Sequence, residues 1–410
     1  MDTQTVILIG VAAYIALMVG IGIWSARKTH SVAEFAVAGR NLPLWLCTAT
    51  VVATWFGGGT MIGAAGAAYD DGMLGVIADP FGGALCRALV GLFFVRLFRR
   101  LRYFSFIEFV EQRFGALAGL VASMAALMSS LMWVAGMLVA FAVILETLTG
   151  VPMLVGIIGG AIVVVVYTSL GGMLAVALTD FVQFVIIAIG LVVLLAVVLV
   201  DVGGWSAISA QLPEHTFRMI PLEHSLDRWL LYLRAWVIFG LADIASQSLL
   251  QRAMSARSER VAQNSFYLGS LLYLGFGLIP VMLGIIAIVS MPGLDNAEAI
   301  VPTLALEHLP PAAIALFVGA LLAAIMSSCD SALLAAATVI STNLLPWVRR
   351  TPSDALRLAV IRGAIPVGGL IAVVAALNAQ VVFDTVLDAN MLMLAAVIAP
   401  FILGVWWQKA

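Results

Sequence analysis

Long runs of apolar residues, separated by short polar segments, dominate the chain. A helix needs about 20 apolar residues to cross a bilayer, and windows of that length predict eleven spans. Some windows exceed 25 residues, so we expect tilted or kinked helices, or ends that leave the membrane. The predicted spans are residues 5–25, 43–69, 74–98, 116–148, 152–170, 179–201, 228–250, 263–290, 311–345, 355–377 and 380–408.

The composition agrees with a polytopic membrane protein whose main surroundings are the lipid bilayer. Of 410 residues, 63% are hydrophobic and only 10% are charged, a balance that excludes an ordinary soluble domain. The net charge of −2 and the lack of a basic tract argue against nucleic acid as a partner. Cys47, Cys86 and Cys329 lie within apolar runs without metal or disulfide spacing, which is typical of small core residues.

The arginines and lysines between the spans predict the orientation. With eleven spans, the strongly basic connections all fall on one side, which should be the cytoplasm. The N-terminus is then outside and the C-terminus inside a plasma (inner) membrane. The basic connections contain Arg27, Lys28, Arg40, Arg99, Arg100, Arg102, Arg113, Arg252, Arg257, Arg260, Arg349, Arg350 and Arg357.

Three consecutive glycines, Gly57, Gly58 and Gly59, interrupt the second span. Each glycine costs about 1 kcal/mol in a helix relative to alanine, and lipid cannot satisfy freed backbone groups. One interpretation is a broken helix whose open backbone binds an ion or a solute. The alternative is close packing of helices through small residues.

A second interruption is expected in the seventh span, where residues 239–247 include Gly240, Asp243, Ser246 and Gln247. Spans two to six and seven to eleven each contain five helices, and an odd number inverts the second set. We therefore predict one transporter domain, residues 1–410, with an all-α fold. It would consist of an extra N-terminal helix (5–25), a first five-helix repeat (43–201) and a second, inverted one (228–408).

The ninth span carries a polar cluster that includes Ser327, Ser328, Asp330 and Ser331. Hydroxyl and carboxylate oxygens are the hard ligands that sodium prefers, and open carbonyls from a broken helix would complete its shell. Serines alone more often bond to their own helix or join two helices. Asp330 in the same cluster favours the ion site.

Other charges inside spans are costly and indicate function by default. They are Asp79, Asp180 and Asp243, with Arg87 and Arg234 as possible counter-ions. Asp180 could instead begin a helix at the inner surface, where a carboxylate suits the helix dipole. Trp55 and Trp133 lie away from the membrane interfaces, where they could pack in the core or form an aromatic wall for a cation.

Taken together, these motifs resemble the sodium:solute symporter family, which has a LeuT-type inverted-repeat fold preceded by an extra helix. The matching segments are spread over most of the chain: residues 35–43, 171–183, 251–258 and 323–331. The resemblance implies a sodium site made by the carbonyls of Ala53, Phe56 and Ala324 and the hydroxyls of Ser327 and Ser328. In some members a second cation or proton site would include the positions of Asp180, Asp330 and Ser331.

Within the family, residues 52–60 and 91–94 look most like the choline transporter branch, in which aromatic residues cage a quaternary ammonium. Trp55 and Trp133 match two of these aromatics, but Ser246 replaces a third, and Asp79 and Asp243 replace uncharged residues. These departures argue against choline itself. The extra carboxylates could suit a cation with N–H donors, couple a proton, or be neutralised. The expected solute-binding residues are Trp55, Gly57, Gly58, Thr60, Asp79, Trp133, Asp243, Ser246 and Gln247.

The sequence thus predicts a symporter in which sodium drives uptake of a small polar or cationic organic solute, such as a choline-like compound or an amino acid. A solute-sensing or channel-like membrane subunit without coupled transport is the alternative. An enzyme is not expected, because the histidines fall in predicted loops without a catalytic constellation. The solute, the sodium stoichiometry and the oligomeric state do not follow from the sequence.

Overall fold

The computed structural model describes residues 3–223, 225–294, 296–378, 393 and 397–407. Regular structure within these residues is helical, apart from one parallel backbone bridge between Leu42 and Ala256. The α-helices are α1 (Thr3–Ala26), α2 (Val32–Val37), α3 (Leu44–Ala53), α4 (Ala64–Asp71), α5 (Gly83–Phe93), α6 (Val95–Leu101), α7 (Ile107–Phe114), α8 (Ala116–Thr149), α9 (Met153–Asp201), α10 (Trp205–Ser209), α11 (Leu226–Gly240), α12 (Gln247–Ser255), α13 (Glu259–Ser290), α14 (Ile300–His308), α15 (Pro311–Val339), α16 (Leu345–Val348), α17 (Asp354–Asn378) and α18 (Ala399–Trp406).

Several of these helices can cross a bilayer, as the hydropathy pattern predicts. Among the described residues, six are long and apolar enough, and two bent pairs raise the number to eight if each pair counts as one span. The predicted number of eleven is therefore not confirmed. Most of the last predicted span, 380–408, lies outside the described residues, which include only α18 and a few neighbours there.

A break in α9 falls where the sequence predicts the connection between the fifth and sixth spans. Residues 153–201 consist of two helical parts joined at a kink, where Gly172 alone leaves the helical conformation, with φ 56° and ψ −147°. A straight helix of 49 residues would be roughly 74 Å long, more than twice the ~30 Å hydrocarbon core. The break at Gly172 divides this length, and a Cβ there would come within 2.5 Å of the Phe35 carbonyl.

The first broken helix is confirmed. Helix α3 ends at Ala53, and a π-helical turn, Gly59–Gly63, leads into α4. Between them the amide of Gly57 donates to the carbonyl of Trp55 at 2.8 Å. This bond joins residues two apart, whereas α-helical bonds join residues four apart. Backbone carbonyls next to this break are consequently available to other groups.

The second interruption is also confirmed. Helix α11 ends at Gly240, a short turn spans Ala242–Ala245, and α12 begins at Gln247. The two helical parts are bent by 52°.

A backbone contact joins the two broken helices. The Leu42 amide donates to the Ser255 carbonyl at 3.1 Å, and the Arg257 amide donates to the Leu42 carbonyl at 3.0 Å. Leu42 precedes α3, and Ser255 ends α12, so the start of one broken helix is fixed to the end of the other.

Helix α15 lies at the centre of the bundle. In the most apolar 18-residue stretch of the span that contains α15, 89% of the stretch is buried inside the protein. The corresponding value for α9 is 33%. Its neighbours include α1, α8, α9 and α17. This position places the polar residues of the ninth predicted span inside protein and away from lipid.

Candidate functional site

Hydroxyl groups of α15 meet the open end of α3. The Ser327 hydroxyl lies 3.0 Å from the carbonyl oxygen of Ala53 and 2.9 Å from that of Ala324. The Ser328 hydroxyl lies 3.3 Å from the carbonyl oxygen of Thr54 and 3.4 Å from that of Ala324. All five residues are buried. The structure therefore brings together four of the five residues predicted for sodium and adds Thr54.

Phe56 is placed differently from the expectation. It is fully buried, and its ring packs edge-to-face against Tyr273 with ring centroids 5.7 Å apart. The carbonyl that reaches the Ser328 hydroxyl is that of Thr54, two residues earlier. A role for the Phe56 carbonyl remains a prediction.

The glycines of the break leave room around this oxygen cluster. A Cβ on Gly57 would lie 3.0 Å from the Ser328 hydroxyl oxygen and 3.8 Å from the Ala324 carbonyl oxygen. A Cβ on Gly58 would lie 3.9 Å from the methyl group of Ala140, whereas one on Gly59 would meet nothing within 4 Å. Gly57 is thus the glycine whose missing side chain keeps the oxygen cluster open.

The residues present fit a sodium ion. The donors are uncharged carbonyl and hydroxyl oxygens, hard ligands that suit hard monovalent and divalent cations and not soft metals. A bound ion would supply a positive charge between the broken end of α3 and the middle of α15.

Asp180, Asp330 and Ser331, the residues expected at a second cation site, belong to one buried polar cluster. The Tyr167 hydroxyl donates to Asp330 Oδ2 at 2.7 Å, and the Ser331 hydroxyl donates to Asp330 Oδ1 at 3.1 Å. Thr50 donates to Asp180 from α3. The cluster thus connects α3, α9 and α15.

Arg252 of α12 enters this cluster, which the sequence analysis did not anticipate. One of its terminal nitrogens lies 3.6 Å from Asp180 Oδ2 and also donates to the Ser331 hydroxyl. Both charged side chains of the pair are fully buried. A guanidinium therefore already lies among the groups expected to bind a second cation.

The alternative interpretation of Asp180 as a helix-start residue is wrong. It lies eight positions after the break at Gly172, within α9, and has no exposed surface. Arg234 is also not a counter-ion in the bundle, because it is exposed on α11. The cation that serves Asp180 is Arg252.

A cavity lies beside the two helix breaks. Its lining includes the aromatic residues Trp55 of the first break and Trp133 of α8, and the acidic residue Asp243 of the second break. Ser328, which belongs to the oxygen cluster, also contributes to the wall, so the candidate ion and solute sites adjoin. The lining residues are Thr54, Trp55, Ala126, Ser129, Ser130, Trp133, Asp243, Ser246, Gln247, Ser248, Ser328, Ala332 and Met393.

Five of the nine predicted solute-binding residues line this cavity, and Gln247 is already engaged there. Its amide nitrogen donates to the Phe104 carbonyl at 3.0 Å, and its amide oxygen accepts from the Phe106 amide at 3.0 Å. The side chain of Gln247 therefore fixes residues 104–106 against the start of α12. Gly57 and Gly58 are not part of the lining.

Thr60 and Asp79 were expected at the solute site, but buried Thr60 and half-buried Asp79 form a group of their own. The Thr60 hydroxyl donates to Asp79 Oδ2 at 2.6 Å, and the Tyr273 hydroxyl donates to Asp79 Oδ1 at 2.8 Å. Neither Thr60 nor Asp79 is among the cavity residues. Their mutual hydrogen bonds satisfy the carboxylate and join the segment after the first break to α13.

Arg87 of α5 lies between this group and the cavity wall. Its guanidinium carbon is 3.6 Å from the ring centroid of Tyr273 and 4.6 Å from that of Trp55. It also donates to the carbonyls of Gly83 at 2.7 Å and Val51 at 3.3 Å. One terminal nitrogen of this fully buried side chain has no hydrogen-bond partner among the described residues.

Comparison with known proteins identifies the family. The model of the sodium:solute symporter family matches residues 35–410. The chain belongs to the sodium:solute symporter family. It is therefore a multi-pass membrane protein of a transporter family and not an enzyme.

Curated relatives transport different solutes. The chain is 29% identical over 389 residues to the high-affinity choline transporter 1 of Drosophila melanogaster, covering 90% of this chain and 62% of that protein. It is 26% identical over 450 residues to the sodium/glucose cotransporter of Vibrio parahaemolyticus, covering 97% and 80%. The chain thus spans a little under two thirds of the length of the Drosophila relative.

A solved structure of a Na⁺-coupled sialic acid symporter, substrate-bound and open to the outside, has a similar fold. The TM-score is 0.87 over 99% of this chain and 87% of that one, at 21% sequence identity. This similarity shows a LeuT-type fold, as expected from the sequence.

Proposed function

We propose that this chain is a sodium-coupled secondary active symporter that imports a small polar or cationic organic solute by alternating access. The observation that carries the proposal is the convergence of the Ser327 and Ser328 hydroxyls on the carbonyls of Ala53, Thr54 and Ala324 at a helix break. Family membership supports sodium as the coupling ion. The adjoining cavity supports a small organic solute.

Coupling follows from the shared position of Ser328 in the oxygen cluster and in the cavity wall. Sodium that binds between α3 and α15 would fix the first break and thereby pre-organise the wall that Trp55 contributes. An ion and a solute that favour the same conformation raise each other's affinity reciprocally. Phe56 belongs to the proposed sodium site through its carbonyl, and Asp180, Asp330 and Ser331 to the proposed second cation or proton site.

The architecture proposed with this function is a 5+5 inverted repeat, with eleven membrane helices in total. Residues 43–201 form the first repeat and 228–408 the second, after one extra helix. The breaks after Ala53 and Gly240, each in the first helix of its repeat, support this division. The basic connections support an outside N-terminus and a cytoplasmic C-terminus in the plasma (inner) membrane.

The proposal is tested by reconstitution into liposomes. An inward sodium gradient should drive accumulation of at least one solute from a panel of sugars, amino acids, carboxylates and organic amines. Potassium in place of sodium should abolish accumulation. Solute binding without any sodium-driven accumulation would contradict the proposal and favour a sensing subunit, whereas solute flux independent of sodium would favour a channel.

A further inference from the structure

The cavity has two chemically different sides. Its lining includes the aromatic residues Trp55 and Trp133 and, as polar residues, several serines and Asp243. Ser246 and Ser248 already bond to each other, with 2.9 Å between their hydroxyl oxygens, and Gln247 is bound to the backbone of residues 104–106. Ser246, Gln247 and Ser248 therefore already use part of their hydrogen-bonding capacity, and they can make fewer hydrogen bonds to a ligand.

Asp243 differs from these neighbours because its carboxylate has no hydrogen-bond or ion-pair partner among the described residues. Within the membrane such a group is stabilised only by a cation or by hydrogen-bond donors. Arg87 is near enough to interact electrostatically, but the ion pairs within 4.0 Å among the described residues do not include Arg87 and Asp243. The position next to Asp243 is thus suited to a positively charged donor that the chain itself does not provide.

The same arginine changes what Trp55 can bind. A quaternary ammonium is usually held by the electron-rich faces of aromatic rings. Here the buried Arg87 guanidinium lies 4.6 Å from the centre of the Trp55 ring, outside the cavity lining. The π-system is therefore already engaged by one cation, so the face of this ring is a poor site for the charged end of a solute and better suited to its uncharged carbon skeleton.

We infer that the cavity recognises the N–H groups of a protonated primary or secondary amine, with Asp243 as the acceptor, and disfavours a quaternary ammonium. This inference rests on the proposed function, because it assigns a solute class to the same site. The rings of Trp55 and Trp133 then pack against the carbon skeleton of the solute. The cavity serines accept or donate the remaining hydrogen bonds.

The test is a methylation series on one skeleton: ethanolamine, N-methylethanolamine, N,N-dimethylethanolamine and choline. All four are cations near neutral pH, but their N–H donors decrease from three to none. Solute-dependent thermal stabilisation of the purified protein is measured in sodium. Apparent affinity should fall along the series by at least roughly tenfold, the factor associated with loss of one charge-assisted hydrogen bond.

Asp243→Asn should weaken the binding of ethanolamine and abolish the differences in apparent affinity among the four amines. Asp227→Asn makes the same change of charge at an exposed position at the start of α11 and should leave the series unchanged. Melting temperatures of both variants without solute show whether each is folded. If Asp243→Asn does not fold, Asp243→Glu is used instead. It keeps the charge but displaces the acceptor oxygens, so it should still reduce the differences in apparent affinity among the four amines.

Three results would overturn the inference: choline bound as tightly as ethanolamine, an unchanged order in a folded Asp243 variant, or no stabilisation by any of the four amines. The proposed function is judged separately from sodium-driven uptake of the wider panel. Accumulation of a sugar or a carboxylate without any amine would reject this inference and leave symport intact. Absence of all sodium-driven accumulation would reject the symporter itself.

Discussion

Gly57 faces Ser328 across the first helix break, where a single added carbon would come within 3.0 Å of the serine hydroxyl oxygen. The hydroxyl in turn lies 3.3 Å from the carbonyl oxygen of Thr54. A glycine in a loop thereby controls the space beside an oxygen cluster on a neighbouring helix. The relationship gives this residue a role that its two glycine neighbours do not share.

Gly57→Ala should therefore weaken sodium binding, because the new methyl group pushes the Ser328 hydroxyl away from the cluster. Gly59→Ala is the matched control, since its methyl group would meet no atom within 4 Å. We expect the sodium concentration for half-maximal thermal stabilisation to rise at least roughly tenfold in the first variant. Equal sodium responses of the two variants would contradict this role.

Ser328→Ala should reduce the sodium dependence of both binding and uptake while leaving the fold intact. The substitution removes one oxygen from the cluster and little volume. Cys329→Ala changes the next residue, which is also buried on α15, and should retain the response. The measurement is sodium activation of uptake in proteoliposomes. Unchanged activation in Ser328→Ala would remove this residue from the sodium site.

Arg252→Ala should destabilise the protein strongly. It leaves the buried carboxylate of Asp180 without its charged partner, and breaking a buried ion pair in this way costs about 3–5 kcal/mol. Addition of Asp180→Asn to the same protein should recover part of the loss, which a cycle of single and double variants measures. Arg100→Ala, which breaks the exposed pair with Glu259, should change the melting temperature little.

Full additivity in that cycle would show that Arg252 and Asp180 contribute to stability independently. An unchanged melting temperature of Arg252→Ala would indicate that a bound cation replaces the guanidinium.

Asp330→Asn should change the ratio of cations to solute transported or the pH dependence of transport. It removes a charge from the proposed second site. Tyr167→Phe keeps the same carboxylate, removes the hydroxyl that lies 2.7 Å from it and 3.3 Å from the Met326 carbonyl oxygen, and should preserve the ratio. Parallel fluxes of radioactive sodium and solute give the measurement. Identical ratios and pH profiles in the wild type and Asp330→Asn would exclude Asp330 from coupling.

Both helix breaks could be predicted from the sequence because they leave a local signal. Gly57–Gly59 and the polar residues near Asp243 are poor components of an apolar helix wherever the helix lies. The serine cluster of α15 is also visible in the sequence, because its polar residues lie close together within an apolar span. The positions of Ser327 and Ser328 opposite Ala53 then required the family resemblance, because 274 residues separate each contacting pair.

The parts that were missed depend on contacts without a local pattern. Arg252 lies at the end of a predicted span, where arginine is ordinary, and only the packing of α12 against α15 brings it to Ser331, 79 residues away. Asp79 was expected at the solute site, but the hydroxyl of Tyr273, 194 residues later in the chain, binds its carboxylate elsewhere. Hydropathy shows that a polar group is buried but not which partner it meets.

The two backbone hydrogen bonds of Leu42, to Ser255 and Arg257, have a mechanical consequence. They join the segment that leads into the first helix break to the end of α12, the helix that carries Gln247 and Arg252. Force applied to one broken helix at this end is transmitted to the other without any side chain. The two broken helices are thus held together at this end through the backbone, so we expect them to move as one unit in the proposed alternating access.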